Sequence, residues 1–84
     1  LPFQFIDEDK ARISLNSDLY RMYCVSEVCE KFQHIFKMQV EYVGEKKRIN
    51  IYFRPKVVFT ADEYKHALLE FLNHVIHEEV IIVK

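Results

Sequence analysis

The chain has 84 residues, half of them hydrophobic, and a formal net charge of −1. That length is one domain, residues 1–84, and that charge argues against a protein that grips nucleic acid through excess Lys and Arg. No apolar run approaches the roughly 20 residues that span a bilayer, and a single Gly with two Pro leaves little room for linkers.

Residues 3–6 (FQFI) and 11–16 (ARISLN) read as two short strands around the acidic turn DEDK. The opening LPFQFIDEDK lacks the basic and long apolar regions of a signal peptide, so a cytoplasmic location is expected. In the second strand Ile13 and Leu15 alternate with Arg12, Ser14 and Asn16. That is the period-two pattern of a half-buried strand. Asn16, Ser17 and Asp18 are all residue types that cap a helix. Helical periodicity then runs from Leu19 or Met22 to Phe36. Met22, Val25, Val28, Cys29, Phe32, Ile35 and Phe36 share one side of the wheel; Ser26, Glu27, Glu30, Lys31, Gln33 and His34 share the other.

MQVEYV (38–43) and RINIYF (48–53), joined by GEKK, read as a hairpin with a Gly at its turn. Met38, Val40, Tyr42, Ile49, Ile51 and Phe53 face one way, and Gln39, Glu41, Asn50, Tyr52 and Arg54 the other. Antiparallel sheets commonly have one such apolar and one polar face. Pro55, which cannot donate to a ladder, is expected to end the last strand. Thr60-Ala-Asp-Glu63 matches a capping box and opens a second helix. There Tyr64, Leu68, Phe71, Val75 and Ile82 form a narrow stripe, which Leu69, Leu72, Ile76, Val80 and Val83 widen to about half the circumference. Packing on a sheet requires a stripe of about 100°. The surplus flank, Leu69-Leu72-Ile76-Val80, therefore requires a second cover, either the first helix or another chain. The closing VIIVK is so β-branched that residues 80–84 fit either the helix or a short C-terminal strand.

The fold class expected is α+β: a three- to four-stranded antiparallel sheet with two helices packed on one face, in the order β-β-α-β-β-α. Seven Phe and five Tyr supply core bulk to a short chain, since each large aromatic buries about 150–250 Å².

Chemistry is sparse. Cys24 and Cys29, five apart on one helix, point about 140° away from each other; they read as small hydrophobes and reduced thiols. No Cys/His ligand spacing marks a zinc site, and no cofactor is expected. GxSxG, HExxH, Walker and GxGxxG patterns are absent, so no enzyme activity is expected. His66, Glu70, Asn73 and His77 cluster opposite the Tyr64-Leu68-Phe71 stripe, with His74 and Glu63 beside them. One helical face directs too few ligands at one point to hold a metal, so a solvated face is expected. A metal or acid–base site on His66, Glu70 and His77 is the alternative. Glu78 and Glu79 lie near a helix C-terminus, where negative charge is mildly unfavourable, and this points to a basic partner or a continuing chain there. Between Lys37 and Lys56 there are six basic and two acidic residues. An ordinary mixed-sign surface is expected there; in the alternative, a positive patch, Lys46, Lys47, Arg48, Tyr52 and Arg54 are the candidates for binding an acidic peptide.

Several residues resemble the HxsD family, the small D component of His-Xaa-Ser systems. They are Ile13 and Leu15 in a strand, Tyr20 with Phe32 twelve positions on, the Arg54-Pro55-Lys56 exit from the hairpin, and Glu70-Phe71-Leu72-Asn73. The resemblance spans residues 11–80. It departs at Arg21, where the family usually has a small cap, and after Asn73, where this chain reads HVIHEEVIIVK. It implies a non-catalytic accessory protein that works beside radical-SAM enzymes modifying a ribosomally made peptide. The partner would be such an enzyme or the precursor peptide, docking on Leu69, Leu72, Ile76 and Val80 or adding as a strand to a free sheet edge. The alternatives are a homodimeric structural module and a small nucleic-acid binder using Tyr52 and Arg54.

Overall fold

The alternation of Ala11, Ile13 and Leu15 with polar neighbours does build a strand, and it is one of four. The computed structural model describes residues 2–83, with side chains as far as Ile81. Its elements are β1 (Phe3–Phe5), β2 (Ala11–Asn16), α1 (Met22–Phe32), β3 (Phe36–Val43), a 3₁₀ turn (Gly44–Lys46), β4 (Arg48–Pro55) and α2 (Ala61–Val83). The strands form one antiparallel sheet in the order β1-β2-β4-β3. Residues 80–83 continue α2; Lys84 and the side chains of Ile82 and Val83 lie outside the described residues.

The register sorts the side chains cleanly. Phe3, Ile13, Ile51 and Val40 form one cross-strand row, and Leu15, Ile49 and Tyr42 another. Ala11, Ile13, Leu15, Phe36, Ile49, Ile51 and Phe53 are buried in one cluster with Val25, Val28 and Phe32 of α1 and Tyr64, Leu68, Phe71 and Val75 of α2. Gln4, Arg12, Ser14, Lys37, Gln39, Glu41, Asn50, Tyr52 and Arg54 alternate with them, and none of these is buried. Phe53 sits among aromatic rings from three other elements: Phe71 at 4.9 Å, Phe36 at 5.4 Å and Phe3 at 5.9 Å. All three are edge-to-face, an arrangement that adds about 0.5–1.5 kcal/mol per pair to area burial.

One sequence expectation is corrected. The first helix ends at Phe32, and Phe36 is the first residue of β3. Phe36 falls on the helical apolar arc by spacing, yet it also opens the alternation Phe36-Met38-Val40-Tyr42. A fully buried position between Phe32, Phe53, Phe59 and Tyr64 decides for the strand. Pro55 ends β4, as expected, and is itself the last member of the strand. Lys56 N–H bonds the Ile35 carbonyl at 2.8 Å, and hydrogen-bonded pairs recur at every second residue. Pro55, opposite Phe36, thus falls at a position where β3 requires no donor. Gly44 lies at the hairpin's turn, as expected, and the left-handed residue there is Lys47 (φ 53°).

The helix starts also differ in kind. Thr60 and Glu63 form the reciprocal box: Thr60 N–H donates to Glu63 Oε1 at 2.8 Å and Glu63 N–H to Thr60 Oγ1 at 3.2 Å. Asn16 instead accepts the Asp18 N–H in a local turn, and α1 begins after Arg21 with no side-chain cap of its own. The Arg21 N–H donates to Glu79 of α2, so a carboxylate fifty-eight residues away occupies the positive end of the α1 dipole.

Phe53→Ala should cost about 3–5 kcal/mol. A domain of this size holds about 4–13 kcal/mol in total, at roughly 0.05–0.15 per residue, so urea unfolding should show the variant close to its midpoint in water. Lys47→Val should cost about 1–2 kcal/mol, because a β-branched residue resists the left-handed region. Lys47→Gly should leave the urea midpoint level or raise it.

Candidate functional site

The α2 apolar arc is wider than its footprint on the sheet, so its outer flank shows what the core leaves over. Leu69 and Leu72 are half-buried against the core, whereas Ile76 is 42% and Val80 48% exposed, with Ile81 beyond them exposed as well. The last turn of α1 does not cover this flank. It packs on the other side of α2, with Phe32 5.4 Å from Phe71 and 5.0 Å from His74. The expected docking residues thus divide: Leu69 and Leu72 floor the flank, and Ile76 and Val80 stand clear.

Glu78 and Glu79 find their cations within the chain. Lys31 Nζ lies 2.9 Å from Glu78, and Arg21 contributes both its N–H and a looser guanidinium contact at 3.9 Å to Glu79. Both glutamates are mostly enclosed, so α1 answers the unfavourable charge at the α2 terminus. The Glu78 hydrogen bond holds the Lys31 ammonium above its ordinary range.

The basic hairpin is not one patch. Lys46, Lys47 and Arg48 lie at the turn, and Lys47 pairs with Asp18 at 3.3 Å. Arg54 lies at the far end of β4, about 20 Å from Arg48 at strand rise. There its guanidinium meets Asp9 at 2.6 Å and Asp7 at 3.4 Å. Asp7 is held below the usual carboxylate range, chiefly by its hydrogen bond with Asp9, then by the Lys10 and Asp9 N–H groups and the Arg54 charge. Tyr52 belongs with Arg54, and Lys10 sits 5.3 Å over its ring. A shallow hollow of about 410 Å³ lined by Lys10, Lys37, Gln39, Tyr52 and Arg54 joins them.

The histidine face borders a groove of about 780 Å³ between the end of α1 and the first half of α2. Phe32, Ile35, Phe59 and Ala67 form its floor, and His34, His66, Glu70 and His74 its rim. His77 is not on this rim, and His74 Nδ1 is engaged with the Glu70 carbonyl at 2.8 Å. Among the described residues, no three His, Cys, Asp or Glu side chains come together as a metal cluster. The sequence placed His66 and Glu70 together correctly but could not add His34, which reaches the groove through the turn after α1.

Both cysteines are free. Burial, then the neighbouring Glu79 hydrogen bond and charge, pushes the Cys24 thiol up to about 11; burial alone takes Cys29 to about 11. At neutral pH both carry their protons, which makes them poor nucleophiles.

Compared with protein-family models, with curated proteins and with solved structures, the chain finds no significant match in any of the three.

The thiols set an alkaline limit. In the unfolded chain they ionise near 9.0, but the native fold keeps them neutral to about 11. The unfolded state therefore binds fewer protons in this window, and stability must fall as pH rises from 9 towards 11. Urea unfolding across pH 8–11 should show that decline, and Cys24→Ala with Cys29→Ala should flatten it.

Proposed function

We propose that this chain is a non-catalytic, cytoplasmic accessory protein that docks a partner enzyme, or its precursor peptide, through the outer flank of α2. The observation that carries the reading is the exposure of Ile76 and Val80 on a helix whose other side is already packed by α1. Leaving two adjacent aliphatic side chains in water is unfavourable by about 25 cal/mol per Å² of apolar surface. A patch of this kind, floored by half-buried leucines, suits a protein contact. The resemblance of residues 11–80 to the HxsD family suggests the partner class, a radical-SAM enzyme acting on a ribosomally made peptide. No helix among the described residues is long and apolar enough to cross a membrane.

A nucleic-acid reading has less behind it. Stacking modules present two or three aromatics on an open sheet, whereas here the polar face offers Tyr52 alone, with Lys10 over its ring.

Ile76→Lys with Val80→Lys tests the proposal. Titration of the chain with a radical-SAM enzyme encoded beside it, and separately with the precursor peptide, should show saturable binding. The double variant should weaken that binding by at least about tenfold, one buried aliphatic contact being worth about 1.5–3 kcal/mol. Its urea midpoint should stay close to the parent value, because neither side chain is in the core. No binding to either candidate, or equal binding by the variant, would overturn the assignment.

A further inference from the structure

The outer edge of β3 is the second unfinished surface, and it is independent of the α2 flank. β3 runs eight residues in unbroken register with β4 and contains no proline. Natural edge strands are usually short, bulged, proline-marked or covered. The Lys56–Ile35 bond and the register place the ladder bonds to β4 on odd-numbered β3 residues. Strictly alternating pairs then turn the N–H and C=O groups of Phe36, Met38, Val40 and Tyr42 outward.

The side chains along this edge form a charge pattern that is complementary to itself under a two-fold rotation. Lys37 and Glu41 lie two residues either side of Gln39 on the polar face. Among the described residues neither makes an ion pair, Glu41 accepting only from Asn50 at 3.0 Å. Lys37 lies opposite Arg54 on β4, a like-charge neighbour, which is unfavourable. On the other face Met38 and Val40 are half-buried and Tyr42 is 60% exposed. Met38 and Val40 border a hollow of about 400 Å³ that also touches Ser26 and Cys29 of α1 and Gln33 just past its end.

We propose that β3 pairs antiparallel with β3 of a second copy of this chain, about a dyad at Gln39, to make one continuous eight-stranded sheet. In that register Met38 faces the partner's Val40 and Phe36 faces the partner's Tyr42. These are the outward-bonding residues, so each such pair exchanges two backbone hydrogen bonds. Lys37 then faces the partner's Glu41, twice over, at the closer, non-hydrogen-bonded spacing where cross-strand charges act most strongly. Sliding by two residues either way keeps the backbone bonds but sets Lys37 against Gln39 or Val43 and loses both ion pairs. Sliding by one turns the apolar side chains to the polar face. Charge and pleat thus select one register. The apolar pairs fill the hollow beside α1.

Sedimentation of the full chain at increasing concentration tests this. The parent should dimerise. Lys37→Glu and Glu41→Lys should each weaken the dimer by at least about tenfold through like-charge contact, with circular dichroism unchanged. An equimolar mixture of these two variants should recover the parent affinity, because each then meets its opposite charge. As a second measure, Gln39→Cys should form an intermolecular disulfide on mild oxidation, since the dyad brings its own Cβ close to its partner's. A parent that remains monomeric, a dimer indifferent to both charge reversals, or a mixture no tighter than its components would each overturn the proposal. A dimer that Ile76→Lys with Val80→Lys abolishes and the β3 reversals do not would place self-association on α2 instead.

Discussion

Phe53 is the side chain on which the arrangement depends. It lies near the end of β4, a central strand, fully buried, with rings from β1, β3 and α2 against it. A small domain buries a modest fraction of its surface, and here one aromatic network links four elements that are distant in the chain. Tyr64 extends the network. Its ring meets Phe36, Phe59 and Phe5, and its hydroxyl donates to the carbonyls of Asp9, at 2.6 Å, and Phe53, at 3.2 Å. That bond fastens the start of α2 to the β1–β2 turn, the same turn whose Asp7 and Asp9 hold Arg54. Burial and the surrounding carboxylates keep the phenol protonated to about 12, so the tether persists through the physiological range.

The charges mostly serve the fold before they serve a partner. Arg54 closes on the acidic turn, Lys47 on Asp18, and Arg21 and Lys31 on the two glutamates of α2. Exposed pairs of this kind contribute about 0–1 kcal/mol each, but they consume the charge that a binding patch would require. Glu79 is the exception in kind. It is largely enclosed and accepts the N–H of Arg21, the residue before α1, joining the two helices where neither touches the other through aromatics. Left open among the described residues are Ile76 and Val80 on α2, the outward amides and carbonyls of β3, and the charges of Lys37 and Glu41 along it. Protein contacts, rather than small-molecule chemistry, use such groups.

Much of the fold was legible in local pattern. The alternation in β2, β3 and β4 and the box at Thr60 need no distant information, because a strand's pleat and a helix's first turn are decided within a few residues. The α2 flank was legible too, since an apolar arc of half a circumference exceeds what one sheet can bury. The misread stretch is one where two local patterns agree with different structures. Phe36 satisfies both the 3.6 and the 2.0 period, and only its burial among Phe32, Phe53, Phe59 and Tyr64 decides for the strand.

The sequence by itself determined the element order, the two faces of the sheet and the amphipathic faces of both helices, because side-chain periodicity is a local property. Tertiary structure alone decided that Glu79 caps α1, that Arg54 is taken by Asp7 and Asp9, that His34 joins His66 and Glu70, and that β3 rather than β4 forms an edge. Each of those depends on strand order and helix placement. These bring together residues from about thirty to sixty positions apart, and no local period encodes such distances.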